Sequence, residues 1–203
     1  MKQVLILASL LLCLIIDTDI QAQTTQKAAA NDKVKTTVSN IKATESTLNW
    51  KAYNVTGSHE GDIKIKSGEL QFTNGELSGG QFVLDMTTIN STDLEGKMKG
   101  KLDGHLKSAD FFDAANHEEA TLLITKVAPK GTPNEYKVMG NLTIKGITKP
   151  VKFYTTIEKG TATADIQIDR TDYNVQYGSS SFLGSLGDKT IYDEFDVSVK
   201  LAF

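Results

Sequence analysis

Tyr136-Lys137-Val138-Met139-Gly140-Asn141-Leu142-Thr143-Ile144 runs directly into Lys145-Gly146-Ile147-Thr148, and then into Val151-Lys152-Phe153-Tyr154-Thr155-Thr156-Ile157. Tyr136, Val138, Gly140, Leu142 and Ile144 share one face of the first run, and Val151, Phe153, Thr155 and Ile157 share one face of the second. A repeat of two belongs to strands with one buried face. A short turn containing glycine between two such runs makes them antiparallel neighbours. The pattern continues downstream, through Lys159-Gly160 into Ala164, Ile166 and Ile168, and again in Ile191, Asp193, Phe195, Val197, Val199 and Leu201. Upstream it appears in Leu48 and Trp50, Ile63 and Ile65, Leu70 and Phe72, then Phe82, Leu84 and Met86, and later in Ala120 and Leu122. Lys66-Ser67-Gly68 reads as a turn between two of these runs. Thr73-Asn74-Gly75-Glu76 carries the Asn-Gly pair of a two-residue hairpin. Eight or nine sequential strands with short turns describe an all-β barrel or sandwich that begins near Val34, and closure is attractive because it removes exposed edges.

One segment departs from this rhythm, residues 91–119. Thr92 is a candidate helix cap, and Leu94, Met98, Leu102 and Leu106 recur every four residues along one helical face. Gly96, Gly100 and Gly104 fall opposite, and each costs a helix about 0.8–1 kcal/mol relative to alanine. The helix is therefore stable only when docked, either as a plain crossover or as a lid over a barrel mouth.

The N-terminus reads as an address. Lys2, the apolar run Val4 to Ile16 and the small residue Ala22 before Gln23 describe a secretory signal peptide over residues 1–22. The run is too short to span a bilayer, and the mature chain contains no transmembrane segment. Residues 23–33 are Gln, Thr, Lys and Ala without periodicity, the composition of a disordered lead. Cys13 is the only cysteine, so the mature domain, residues 34–203, relies on its hydrophobic core without disulfides. The whole chain has 22 basic and 25 acidic residues; without Lys2, Asp17 and Asp19 these become 21 and 23, a net charge of -2. Such a balance offers nothing to nucleic acid.

Residues that carry chemistry are few. His105, Asp110, Asp113 and His117 contain metal-binding atoms, but their spacing matches no ligand motif. His59 is read as a hydrogen-bonding residue of the fold, and His105 as the histidine that touches a polar headgroup. Arg170 is the sole arginine. Its planar fork suits either a structural ion pair, with Asp193 as the expected partner, or a lipid phosphate or carboxylate. Ser179, Ser180, Ser181 and Ser185 cluster, yet Gly184-Ser185-Leu186-Gly187 lacks the glycine that a nucleophile elbow places two residues before its serine. No cofactor motif is present.

Five blocks occur in order: Gly57-Ser58-His59-Glu60-Gly61; Leu77-Ser78-Gly79-Gly80-Gln81-Phe82-Val83-Leu84-Asp85-Met86; Gly104-His105-Leu106-Lys107-Ser108-Ala109-Asp110-Phe111-Phe112-Asp113; Gly140-Asn141-Leu142-Thr143-Ile144-Lys145-Gly146-Ile147-Thr148-Lys149-Pro150-Val151; and Ile168-Asp169-Arg170-Thr171-Asp172-Tyr173. They resemble the successive signatures of the YceI-like family, from about residue 44 to the C-terminus. The resemblance implies a single eight-stranded antiparallel lipocalin-like barrel in a periplasmic or secreted protein. It also implies an interior that binds an isoprenoid, isoprenoid-quinone or fatty-acyl chain. The sequence departs from the pattern at His117-Glu118-Glu119 and at Asn174.

An eight-stranded barrel either fills itself with side chains or holds one small ligand. Burying about 16 methylenes contributes about 13 kcal/mol, against an association cost of about 4–15 kcal/mol. A tail alone thus suffices for binding. The interior candidates are Trp50, Phe82, Leu84, Met86, Leu122, Val138, Leu142 and Phe153, each on the more apolar face of its strand. Leu102, His105 and Leu106 join them from the helix, together with Phe111, Phe112 and Arg170. Phe111 and Phe112 are adjacent and cannot face the same way on a strand or helix, so one is expected to plug the barrel and the other to touch ligand. The function expected is a non-catalytic carrier or store. A protein-interaction module on the same scaffold and a lipid-modifying enzyme are the alternatives, and oligomeric state is not legible.

Overall fold

The hairpin quoted first forms as two strands, β6 (Glu135–Ile144) and β7 (Ile147–Glu158), with Ile144 opposite Ile147 and Val138 opposite Phe153. Lys145 and Gly146 join them at φ 51° and 71°. Asn74 and Gly75 repeat the arrangement at 53° and 89°. Positive φ at both positions is what a type I′ turn requires, and that turn matches the right-handed twist of the flanking strands.

A computed structural model describes residues 34–203 other than Ser185; the expected signal peptide at 1–22 and disordered lead at 23–33, together with Ser185, lie outside the described residues. The remaining strands are β1 (Thr36–Asn40), β2 (Thr47–Asn54), β3 (Gly57–Thr73), β4 (Glu76–Ser91), β5 (Glu119–Pro129), β8 (Thr161–Asp169) and β9 (Ile191–Ala202). Their order is β3-β2-β9-β8-β7-β6-β5-β4, every pair antiparallel, and β4 returns to β3. Strands β2 to β9 therefore close an eight-stranded barrel. The ninth strand, β1, pairs with Glu69–Thr73 of β3, beyond the part that β2 covers.

Residues 66–68 are not a turn. They lie inside β3, which runs unbroken for 17 residues, and its register against β4 shifts between Ile65 and Ser67. A bulge inserts one residue and bends the strand, so the inward face passes from Ile63 and Ile65 to Leu70. Gly68 serves close packing instead: a Cβ there would lie 2.4 Å from the Phe82 ring.

The segment between β4 and β5 holds helix α1 (Gly96–Lys107). Glu95 occupies its N-cap without a side-chain hydrogen bond, whereas Thr92 donates through its backbone and hydroxyl to the Glu60 carbonyl of β3. Nor does the apolar face run from Leu94 to Leu106. Leu94 precedes the helix, Met98 is 62% exposed, and only Leu106 is fully buried, with Leu102 packed partly against the core. A spacing of four drifts around a helix of 3.6 residues per turn. The docked stripe is Lys99, Leu102, Asp103 and Leu106, and no side chain lies near Gly100 or Gly104.

A polar clamp fastens this stripe. The Asp103 carboxylate accepts from the Ser91 backbone N–H at 2.7 Å and the Ser91 hydroxyl at 2.8 Å, and it pairs with Lys99 at 3.1 Å. Lys99 Nζ also donates to Asn90 Oδ1 at 2.8 Å and to the Ser91 carbonyl. Burial raises the Asp103 pKa, but the Ser91 and Lys99 contacts outweigh it and hold it below 3.8. A depressed carboxylate stabilises the fold above its unfolded pKa and loses that contribution as the pH falls through the folded value. Asp103→Ala is expected to cost about 1–3 kcal/mol and to speed amide exchange in α1 while leaving the β6–β7 amides protected. The stability gap to the parent protein should narrow below pH ~4, measured by denaturant titration at stepped pH.

Candidate functional site

Because successive side chains alternate across each strand, closing the sheet turns one whole set inward. The lining includes Leu48, Trp50 and Ala52 of β2, Val138, Leu142 and Ile144 of β6, and Phe195, Val197, Val199 and Leu201 of β9. Between them lies a cavity of about 160 Å³, counted as room for the centre of a water molecule. One water needs roughly 10–15 Å³ on that measure, so the barrel is hollow. The only polar side chains on its wall are Thr155, Thr163, Arg170, Tyr192 and the indole of Trp50. Water gains few partners there, whereas a hydrocarbon gains a complete apolar wall.

The two ends differ. At one end the β3–β4 hairpin, the β7–β8 turn and the C-terminus come together. Leu70, Leu77 and Leu201 are buried there, and Phe203 packs on Phe72 at 5.7 Å between ring centres. At the other end stand α1, Phe111, Phe112, Arg170 and the segment leading into β9. Tyr192 is 51% exposed and is the one cavity-lining residue among the exposed large apolar side chains. Tyr177, Phe182 and Leu183 are exposed in the same segment.

Arg170 is 3% exposed, and all five of its N–H groups are engaged inside the fold. Nε donates to the Tyr192 carbonyl at 3.1 Å, one terminal nitrogen to the Val175 and Tyr177 carbonyls at 2.7 and 2.9 Å, and the other to the Ile191 carbonyl at 2.9 Å and Asp193 Oδ1 at 3.4 Å. The expected Asp193 partner is present. No donor remains for a phosphate or carboxylate, and what Arg170 offers the lumen is the edge of a saturated guanidinium lying over Phe111. Desolvation lowers its pKa, opposed by Asp193 and Asp169.

A family model described as the YceI-like domain matches residues 24–203. The chain belongs to the YceI-like family. It is 32% identical to a UPF0312 protein of Vibrio parahaemolyticus over 117 residues, 56% of this chain and 58% of that one. It is 40% identical to a UPF0312 protein of Pectobacterium atrosepticum over 65 residues, 32% of each. The matched stretch thus spans just over half the length of the Vibrio relative. The crystal structure of Burkholderia cenocepacia BcnA superposes with a TM-score of 0.64 at 24% identity, covering 80% of this chain and 99% of that one, which shows a shared fold.

Within this YceI-like barrel, twelve of the fourteen candidate residues line the cavity: Trp50, Phe82, Leu84, Met86, Leu106, Phe111, Phe112, Leu122, Val138, Leu142, Phe153 and Arg170. Leu102 and His105 do not. Leu102 packs against the core from outside the lumen. His105 stands behind the wall, its ring 5.4 Å from Phe111 and 4.4 Å from Tyr177, and its Nε2 is buried without a partner. It therefore supports the wall and cannot meet a headgroup in the lumen as arranged. Phe111 and Phe112 both face inward, contrary to the division of roles expected of adjacent residues. They lie in a series of turns, with Phe111 N–H bonded to the Ser108 carbonyl and Phe112 N–H to that of Leu106, and their rings meet edge to face at 5.2 Å.

Elsewhere, His59 Nδ1 lies 2.7 Å from Asp93, and His117 lies 4.0 Å from Asp113. No three potential metal ligands converge among the described residues. Ser181 donates to Asp193 at 2.6 Å. Sequence reasoning missed Leu77 and Ile89 as lining residues because β4 shifts register against β3 on either side of the Phe82–Met86 run. Replacing Arg170 with Met is expected to cost about 3–5 kcal/mol, since Asp193 and four carbonyls lose their donor. Lysine, with three donors and no fork, should recover only part of this in urea denaturation.

Proposed function

We propose that the protein is an exported, non-catalytic carrier or store that holds one long apolar chain, of isoprenoid, isoprenoid-quinone or fatty-acyl type, inside the barrel. The observation that carries this reading is the hollow, almost wholly apolar lumen. A module that merely presented its outer surface to a protein partner would have no use for internal space, and filling it with larger side chains would stabilise the core. Two of the polar groups on the wall are taken up by the fold. Thr155 donates its hydroxyl to the Thr163 carbonyl at 2.9 Å, and Arg170 has every donor engaged. Export is supported by the signal-like residues 1–22, and a periplasmic or secreted setting follows from it. Among the described residues no helix is long and apolar enough to cross a membrane. Loading belongs at the α1 end, where Tyr192 joins the lumen to the exposed Tyr177, Phe182 and Leu183.

Native mass spectrometry of protein purified without detergent tests the reading: a bound species with the mass of a long-chain lipid is expected. Repeated recovery of the bare chain, with no uptake of added fatty acid or isoprenoid, would refute it. Met86 is 4% exposed on the lumen wall. Met86→Trp should cut uptake at least tenfold by occupying the channel, at a stability cost of about 1–3 kcal/mol. Unfolding with normal uptake per folded molecule would instead mark Met86 as ordinary core.

A further inference from the structure

Eleven large apolar side chains are exposed among the described residues, and six of them stand at the Tyr192 pole: Val55, Met98, Tyr177, Phe182, Leu183 and Tyr192, each 50–62% exposed. Internal bonds gather them. Val55 N–H donates to the Thr190 carbonyl and Ile191 N–H to the Gly178 carbonyl, while Ser181 of the short helix α2 (Ser180–Leu183) donates to Asp193. Met98 precedes His105 by seven residues, close to two turns, and so shares the flank of α1 on which the His105 ring lies 4.4 Å from that of Tyr177. Scattered apolar residues on a surface need no explanation, but a cluster around the mouth of a cavity does.

The backbone beneath this cluster is sealed. Arg170 donates to the carbonyls of Val175, Tyr177, Ile191 and Tyr192. The carbonyls of Gln176, Gly178 and Ser179 accept from the N–H groups of Ser179, Ile191 and Leu183, and that of Thr190 accepts from Val55. Every carbonyl of residues 175–179 and 190–192 is thus bonded inside the protein. A loop facing water can leave carbonyls to the solvent, whereas one facing lipid cannot, because each unpaired group is costly there.

The adjoining helix supplies charge of the sign that a bilayer surface attracts. α1 carries Lys97, Lys99, Lys101 and Lys107 against one acid, Asp103, which is engaged with Ser91 and Lys99. Lys97 and Lys101 are exposed near Met98. In the segment before β9 the exposed Asp188 is balanced by Lys189, and Glu194 lies beyond them on the strand, so the attraction is concentrated on α1.

We propose that the Tyr192 pole docks on a phospholipid bilayer with anionic headgroups: Tyr177, Phe182, Leu183 and Tyr192 enter the interface, and Lys97 and Lys101 meet the phosphates. Tyrosine suits that depth because its ring is apolar and its hydroxyl is wet. The docked surface surrounds the mouth of the lumen, so a cargo insoluble in water passes between membrane and barrel without crossing solvent. That passage rests on the carrier reading, whereas the docking is tested without cargo.

The test is co-sedimentation of the protein with phosphatidylethanolamine–phosphatidylglycerol vesicles and, separately, with phosphatidylcholine vesicles. Binding to both is expected, about tenfold tighter to the anionic ones. Phe182→Ser combined with Leu183→Ser should weaken both about tenfold or more. Lys97→Gln combined with Lys101→Gln should remove the preference for anionic vesicles and leave phosphatidylcholine binding unchanged. Leu123→Ser with Tyr154→Ser strips comparable exposed side chains from the barrel's flank and should change nothing. Every substituted side chain is exposed, so the variants are expected to fold. No sedimentation with either vesicle, or an equal loss from the flank pair, would overturn the proposal. So would binding that salt abolishes and the Phe182 and Leu183 substitutions leave intact. Fatty-acid uptake in a vesicle-free native mass spectrum separates the two readings. Uptake without vesicle binding refutes docking and leaves the carrier standing, whereas vesicle binding by a barrel that refuses every chain refutes the carrier and supports docking.

Discussion

Backbone hydrogen bonds between β3 and β4 complete a ring of eight strands, and that ring sets the interior width independently of the side chains that face it. Ala52, Ala120, Ala162 and Ala164 are too short to fill the space the ring encloses. A hollow centre results from wall geometry combined with small inward residues, even though every strand is individually well packed against its neighbours. The ring also leaves no long unpaired edge. The described domain has no cysteine and can hold together by this means without disulfide support.

Strand faces were legible where the repeat of two ran uninterrupted. In β6, β7 and β9 the expected inward residues are inward, because a one-residue error would place an entire apolar set in water. The reading failed where backbone irregularity changes parity. Lys66-Ser67-Gly68 has turn composition, yet it sits in a bulged strand, and two further register shifts between β3 and β4 conceal Leu77 and Ile89. Turn-rich segments carry no period at all, so nothing in the sequence could have shown that Phe111 and Phe112 share a direction. α1 was found from its spacing, but its docked face depends on Lys99 and Asp103, whose affinity for Ser91 is a tertiary fact. Arg170 could be recognised as unusual from composition, but the number of its engaged donors could not.

On the wall of the lumen Arg170 is the one charged residue among those described. Arg170 is saturated by four carbonyls and a carboxylate, and it ties the segment from Val175 to Asp193 across the α1 end.

Both ends of the described chain lie at the Phe72–Phe203 pole. Lys35 is hydrogen-bonded to Asn74 beside the β3–β4 hairpin, and Phe203 donates its N–H to Gly160 in the β7–β8 turn. A surface, label or fused partner attached through Phe203 would therefore leave the Tyr192 pole pointing outward. The molecule can be fixed in place from behind without obstructing the side through which cargo would pass.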